Sequence, residues 1–77
     1  MFDNGLNRDT VYYMGLRTNG WQTTERVCIC INQAGYAISL TQTESLLFSL
    51  KEKGKVEQDF ITLAAGDQYN IWKKKEG

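Results

Sequence analysis

The chain has 77 residues, of which 42% are hydrophobic and 12% aromatic, and nine basic and nine acidic side chains give a formal net charge of zero. These totals predict one globular domain over residues 1–77 and exclude a disordered chain, which would have few aromatic residues and a large net charge. They also argue against strongly charge-driven nucleic-acid binding and against DNA mimicry, because the first needs a basic excess and the second an acidic one.

The first half of the chain is predicted to form β-structure. Residues 1–9 are rich in Asn, Asp and Gly, so we expect an irregular N-terminal arm there. Alternating apolar residues predict strands over residues 10–17 and 24–32, joined by a hairpin at Asn19-Gly20, since both of these residues tolerate positive φ. A turn closed by Gly35 leads to a third strand. The inner face of this third strand carries Tyr36, Ile38 and Leu40.

The hydrophobic period changes after residue 40. Thr41, followed three residues later by Glu44, has the pattern of a capping box and predicts a helix over residues 42–53. Gly54 stands where a left-handed residue ends a helix. The side of this helix that faces the core is predicted to consist of Thr43, Leu46, Leu47 and Leu50.

Two further strands follow, DFITLAA and YNIWKKK, joined through Gly66-Asp67, and residues 73–77 are expected to form a frayed basic tail. The predicted order is therefore β-β-β-α-β-β. It corresponds to an α+β fold with a small antiparallel sheet of about five strands and one helix packed on one face.

Most enzyme chemistry lacks its usual residues in this sequence. There is no histidine, which is the commonest general base and metal ligand. No glycine-rich phosphate loop precedes the predicted helix, where the sequence is YAISLTQT. We therefore predict no enzymatic activity, no catalytic residue and no cofactor.

The apolar runs are far shorter than the roughly 20 residues that cross a bilayer. The N-terminal sequence MFDNGLNRDT also lacks the basic and then apolar layout of a signal peptide. We therefore expect a cytoplasmic protein that does not contact a membrane.

Cys28 and Cys30 lie two residues apart in the second predicted strand. Their Cβ atoms would then point the same way, which disfavours a disulfide, and two thiols without an imidazole fall short of a four-ligand zinc site. A symmetric dimer would supply four thiolates. We favour a role as small apolar side chains inside the protein.

The predicted sheet is apolar on both faces, whereas one helix covers only one of them. The second face is closed by the N-terminal arm, by curvature of the sheet, or by another chain, which includes a second copy. On the helix, Phe48 lies opposite the core side, and an aromatic residue among charged ones is typical of an interface anchor. The alternatives are that Phe48 is an ordinary exposed apolar residue or that the last two strands cover it. The predicted partner contacts are Phe48, Glu44, Lys51, Glu52, Tyr13 and Trp72.

Our functional hypothesis from the sequence is a non-enzymatic protein-binding module. An example is a small inhibitor of a phage or mobile element that blocks a host defence protein by covering its surface. The alternative is a small protein that binds nucleic acid or a nucleotide through sheet tyrosines or through Trp72 with Lys73, Lys74 and Lys75. A second alternative is a structural homodimer.

Overall fold

The computed structural model describes residues 7–16 and 20–75, which form three helices and a three-stranded antiparallel sheet. The elements are α1 (Arg8–Thr10), which continues into a π-helical turn (Val11–Gly15), then β1 (Gln22–Thr23), α2 (Thr24–Gln33), α3 (Leu40–Glu52), β2 (Val56–Thr62) and β3 (Gln68–Lys74). The α+β class with an antiparallel sheet is confirmed, whereas the prediction of five strands in the order β-β-β-α-β-β is wrong.

The second predicted strand is α2. The Thr23 hydroxyl accepts the Arg26 backbone N–H at 3.1 Å and caps the helix. Thr24, Val27 and Ile31 are buried, and their spacing of three and four residues places them on one helical face. The run VCICI fits a strand period as well as a helix period, and the strand preference of β-branched residues is weak enough for burial to override it.

The first predicted strand is also helical. Asn7 caps α1, because its Oδ1 accepts the Thr10 backbone N–H at 3.0 Å while the Thr10 hydroxyl accepts the Asn7 N–H at 3.3 Å. No strand precedes β1 in the described residues, so the predicted hairpin at residues 19–20 is wrong, and Asn19 itself lies outside them. Of the predicted arm, residues 1–6 lie outside the described part, whereas Arg8 and Asp9 are helical.

The helix predicted over residues 42–53 is confirmed as α3, but it begins two residues earlier. Ser39, not Thr41, is the N-cap: its hydroxyl accepts the Gln42 N–H at 3.1 Å, and Gln42 Oε1 accepts the Ser39 N–H at 3.0 Å. Gly54, at φ 75°, ends the helix as predicted. The third predicted strand is wrong, because its residues form the irregular connection from α2 and the first turn of α3.

The last two predicted strands exist as β2 and β3, which pair in register from Val56↔Lys74 to Thr62↔Gln68, but β2 begins three residues before the predicted start at Asp59 and ends at Thr62, so residues 63–65 belong to the turn. The sheet order is β1-β3-β2, so β3 is central. The prediction of a frayed tail is wrong for residues 73–75, since β3 runs to Lys74 and the Lys75 N–H donates to Lys55 O at 3.0 Å. Residues 76–77 lie outside the described part.

The core lies between the three helices and the inner face of the sheet. The predicted core side of α3 is confirmed, with Thr43, Leu47 and Leu50 buried and Leu46 packed against the core. Each long element contributes, so the hairpin of β2 and β3 and the helices form one unit. The buried apolar residues are Val11, Leu16, Val27, Ile31, Ile38, Leu47, Leu50, Val56 and Trp72.

Candidate functional site

A chain of three hydrogen bonds and one aromatic contact hold α3 against the sheet. A chain of hydrogen bonds runs from Lys51 Nζ to Gln58 Oε1 (3.0 Å), from Gln58 Nε2 to Asn70 Oδ1 (3.0 Å), and from Asn70 Nδ2 to Glu44 Oε2 (2.9 Å). Glu44 and Lys51, which the sequence analysis assigned to a partner, are thus occupied within the molecule. They fix how α3 lies on the hairpin.

Phe48 lies one turn from both of these residues and turns toward the same strands. Its ring meets the Trp72 ring edge to face, at 4.9 Å between centroids, although 40% of Phe48 remains exposed. Trp72 is fully buried, and its indole N–H donates to the Thr24 hydroxyl at 2.8 Å. Trp72 therefore offers no surface to a partner, and Phe48 offers only part of its ring. The alternative prediction, that the last two strands cover Phe48, is correct for the side of the ring that meets Trp72.

The side of α3 opposite the core carries Thr41, Gln42, Ser45, Ser49 and Glu52. At 100° per residue, these five residues span about one third of the helix circumference. The Ser49 hydroxyl accepts a hydrogen bond from Arg8 Nη1 at 3.1 Å, which places a guanidinium beside this surface. We call the surface formed by these five residues the outer stripe of α3. Glu52 is thus the only predicted partner residue of α3 that lies within it.

The first turn of α3 lies close to the hairpin tip. Leu40, Thr41 and Glu44 line a cleft of about 220 Å³ together with residues 23–25 at the start of α2 and residues 68–70 at the start of β3. The α2–α3 pair and the hairpin therefore present one continuous edge of the molecule. The opposite edge holds the last turn of α3 and the end of β3.

That opposite edge is rich in lysine. The Lys73 ammonium lies 5.2 Å from the centre of the Trp21 ring, and the Lys74 ammonium lies 4.7 Å from Tyr12 and 5.9 Å from Tyr13. The predicted association of lysines with an aromatic side chain exists, but the aromatic partners are these three and not the buried Trp72. Tyr13 is 65% exposed, so it is an accessible aromatic residue, as the sequence analysis expected. We could not have identified Trp21 from sequence, because the predicted hairpin placed it in a turn.

The outer face of the sheet is open in the described residues and is apolar toward the hairpin tip, whereas strand alternation places Glu57, Asp59 and Lys73 on its other half. Strand alternation places Thr23, Ile61, Tyr69 and Ile71 on the face away from the helices, and the cross-strand pairs Thr23↔Ile71 and Ile61↔Tyr69 lie there. Ile61 is 40% and Tyr69 45% exposed. The expectation that one helix leaves a sheet face uncovered therefore applies to this smaller sheet.

The two cysteines do not share a face, since residues two apart on a helix point about 200° apart. Both are free and half-buried, and Cys28 packs against the core with its Sγ 3.6 Å from Ile38 O. Within residues 7–16 and 20–75 no group of three or more Cys, Asp or Glu side chains is arranged to hold a metal ion. None of the helices described there is both long and apolar enough to cross a membrane.

No family model and no curated protein matches this chain. Among solved structures, it is similar to a protein from Methanosarcina mazei Go1 described as a possible transcriptional regulator, with a TM-score of 0.69 and 13% sequence identity. The match covers 88% of this chain and 52% of that one, so this chain spans about half the length of its neighbour. At this identity the likeness concerns the fold alone, which in this chain places two consecutive helices, α2 and α3, before the hairpin of β2 and β3.

Proposed function

We propose that this protein is a non-enzymatic module that binds double-stranded DNA, with the outer stripe of α3 in the major groove. The observation that carries the proposal is the helix-turn-helix pair α2–α3, with the hairpin beside the first turn of α3. In this arrangement the second helix enters the groove and its first residues meet the base edges. The description of the Methanosarcina mazei protein as a possible transcriptional regulator agrees with this proposal. A regulatory role for the present chain is part of the proposal and rests on this analogy of fold.

The side chains of the outer stripe suit contact with base edges. Thr41 and Ser45 are exposed and uncharged, and each hydroxyl offers a hydrogen-bond donor and acceptor. Hydroxyl groups bond to several base edges. Gln42 Oε1 accepts the Ser39 N–H in the capping box, so the Gln42 side chain would meet a base edge through its Nε2 as a donor. Arg8, placed beside Ser49, is available to a phosphate that borders the same groove.

The charge distribution sets the expected strength of binding. Glu25 and Asp67, at the edge formed by α2 and the hairpin, are exposed and would repel phosphates, as would Glu52 in the outer stripe, whereas the exposed Arg26 beside Glu25 would attract them. With a net charge of zero, non-specific binding should be weak, on the order of 10⁻⁴ M or weaker at physiological salt. Discrimination between sequences, more than bulk affinity, is therefore the property to measure.

Two variants with the same added charge test this proposal. Ser45→Glu places a carboxylate in the outer stripe, whereas Ile61→Glu places one on the outer face of the sheet, and both positions are exposed. Binding to a duplex selected from a random pool should fall by at least about tenfold for Ser45→Glu, since a misplaced charge costs 1.4 kcal/mol or more. The Ile61→Glu protein should bind nearly as well as wild type. Equal binding by wild type and Ser45→Glu would refute the proposal.

A second candidate function is protein binding through the outer face of the sheet, favoured by the exposure of its apolar residues. Ile61 and Tyr69 line one shallow pocket with Leu63, which is 47% exposed, and exposed apolar surface is typical of protein contacts. The inhibitor and homodimer hypotheses both belong to this candidate. In the same pair of variants it predicts the reverse outcome, with partner binding or self-association lost in Ile61→Glu and retained in Ser45→Glu.

A further inference from the structure

Five lysines converge at the end of the molecule away from the hairpin tip. Lys53 and Lys55 follow the last turn of α3, and Lys73, Lys74 and Lys75 end β3. The two groups adjoin, because the Lys75 N–H donates to Lys55 O at 3.0 Å and Lys74 pairs with Val56 next to Lys55. We call this surface the lysine end. The acidic side chains near it in sequence or register are Glu52, Glu57 and Glu76, so the five lysines outnumber them.

The backbone and the aromatic rings fix this cluster in place. The Lys73 and Lys74 ammonium groups lie over Trp21 and Tyr12, at 5.2 and 4.7 Å from the ring centres. Lys53, Lys55 and Lys75 are exposed. Because successive residues of a strand point to opposite faces, Lys73 and Lys74 present positive charge on both sides of the sheet at this end, which favours the approach of an anion.

The hairpin tip, in contrast, carries no cation. Its residues are LAAGD, residues 63–67, in which Asp67 is the only charged side chain. Since phosphate contacts come mainly from Lys and Arg, this tip is a poor anchor for a DNA backbone. Five of the nine basic residues lie instead at the opposite end of α3.

The length of α3 allows that end to reach a phosphate. Thirteen residues at 1.5 Å per residue make a helix of about 18–20 Å, whereas the major groove is roughly 12 Å wide. A helix that lies across the groove therefore extends beyond it, and lysine side chains at the extending end meet the sugar-phosphate backbone.

We propose that the lysine end, and not the hairpin tip, binds the phosphate backbone of the DNA that α3 contacts. This inference rests on the proposed function and specifies how the DNA is held. The outer stripe discriminates between sequences, and the lysine end supplies the salt-dependent part of the affinity. An acidic protein segment is the competing occupant.

The test measures the salt dependence of duplex binding for wild type and for a triple variant, Lys53→Gln, Lys55→Gln and Lys75→Gln. The three side chains are exposed and none of them contacts an aromatic ring, so the fold should survive, which the melting temperature checks. The slope of log K against log salt concentration is negative, and each lost phosphate contact makes it shallower by about 0.9. We therefore expect the slope of the triple Gln variant, measured between about 50 and 200 mM salt, to be shallower than that of wild type by roughly 2–3. The matched triple Lys→Arg variant should keep the wild-type slope, and preference between duplex sequences should not change in either.

Each outcome assigns the result to one of the two proposals. If wild type binds duplex and the triple Gln variant keeps its slope, the lysine end is not the phosphate anchor and the proposed function stands. If wild type binds no duplex while an acidic peptide such as polyglutamate is bound by wild type and not by the triple Gln variant, both proposals fall and the acidic protein segment is the occupant. If adding a lysine at Ala65 raises the slope while the triple Gln variant does not lower it, the hairpin tip is the anchor and this inference is overturned.

Discussion

Removing the hydroxyl of Thr24 should destabilise the protein far more than its small change in volume would suggest. The Thr24 hydroxyl accepts the indole N–H of Trp72 at 2.8 Å, across 48 residues of sequence, and both side chains are buried. Thr24→Val keeps the shape of the side chain but leaves the indole N–H without an acceptor. An unsatisfied buried donor costs about 1–3 kcal/mol. For a domain of this size, each kcal/mol lost from the free energy of unfolding lowers the melting temperature by roughly 4–8 °C.

The assay is thermal and urea unfolding, with Thr41→Val as the matched control. Thr41 is exposed on α3, so the same substitution there should change the free energy of unfolding by no more than about 0.5 kcal/mol. In a Trp72→Phe background no indole donor remains, and Thr24→Val should cost about 1 kcal/mol less than in wild type. An equal effect of Thr24→Val and Thr41→Val would show that this bond does not join α2 to β3.

Two further substitutions test the packing of α1 and the start of α3. Gly15→Ala should destabilise the protein by about 1 kcal/mol, because its Cβ would lie 2.6 Å from the buried and stiff Val27 side chain, and this overpacking outweighs the usual gain of about 0.5–1 kcal/mol. Gly20→Ala, which has nothing within 4 Å of the added Cβ, should be close to neutral in the same urea titration. Ser39→Ala should cost about 1 kcal/mol as the loss of an N-cap, whereas Thr41→Ala should cost less than about 0.5 kcal/mol. The reverse order of these two costs would place the N-cap of α3 at Thr41.

The second half of the chain was predictable because its local signals agree with its packing. A helix ended by Gly54, followed by two strands joined at Gly66, needs only the hydrophobic period and the positive φ of these glycines, 75° and 91°. The core side of α3 follows from the same period. The start of α3 was misplaced because SLTQTE offers two capping boxes, Ser39 with Gln42 and Thr41 with Glu44, and the choice depends on where the buried Ile38 lies.

The first half was mispredicted because its local preferences compete with its packing. The run VCICI has apolar residues at both strand and helix spacings, and the residues that decide between them, Thr24 and Trp72, are far apart in the sequence. Once α2 was taken for a strand, no pair of consecutive helices remained from which DNA binding could be proposed. The functional prediction then rested on Phe48, whose ring is partly covered by Trp72.

Charged and uncharged groups are unevenly placed in a chain with no net charge. Four of the five residues of the outer stripe are uncharged hydrogen-bonding residues, the fifth being Glu52, and five of the nine basic residues lie at the lysine end. This separation predicts that substitutions in the outer stripe change the preference between duplex sequences, whereas substitutions at the lysine end change the salt dependence of binding. A protein partner on the sheet face would leave both properties unaffected.

The most direct test of the central claim is a titration of the ¹⁵N-labelled protein with a duplex selected from a random pool, followed through its backbone amide signals. The account predicts shifts at Thr41, Ser45 and Ser49, with smaller shifts near Lys53 and Lys55 and little change at Ile61 and Tyr69. Shifts confined to the outer face of the sheet, or no saturable shift with any duplex, would contradict the assignment of α3 as the surface that binds DNA.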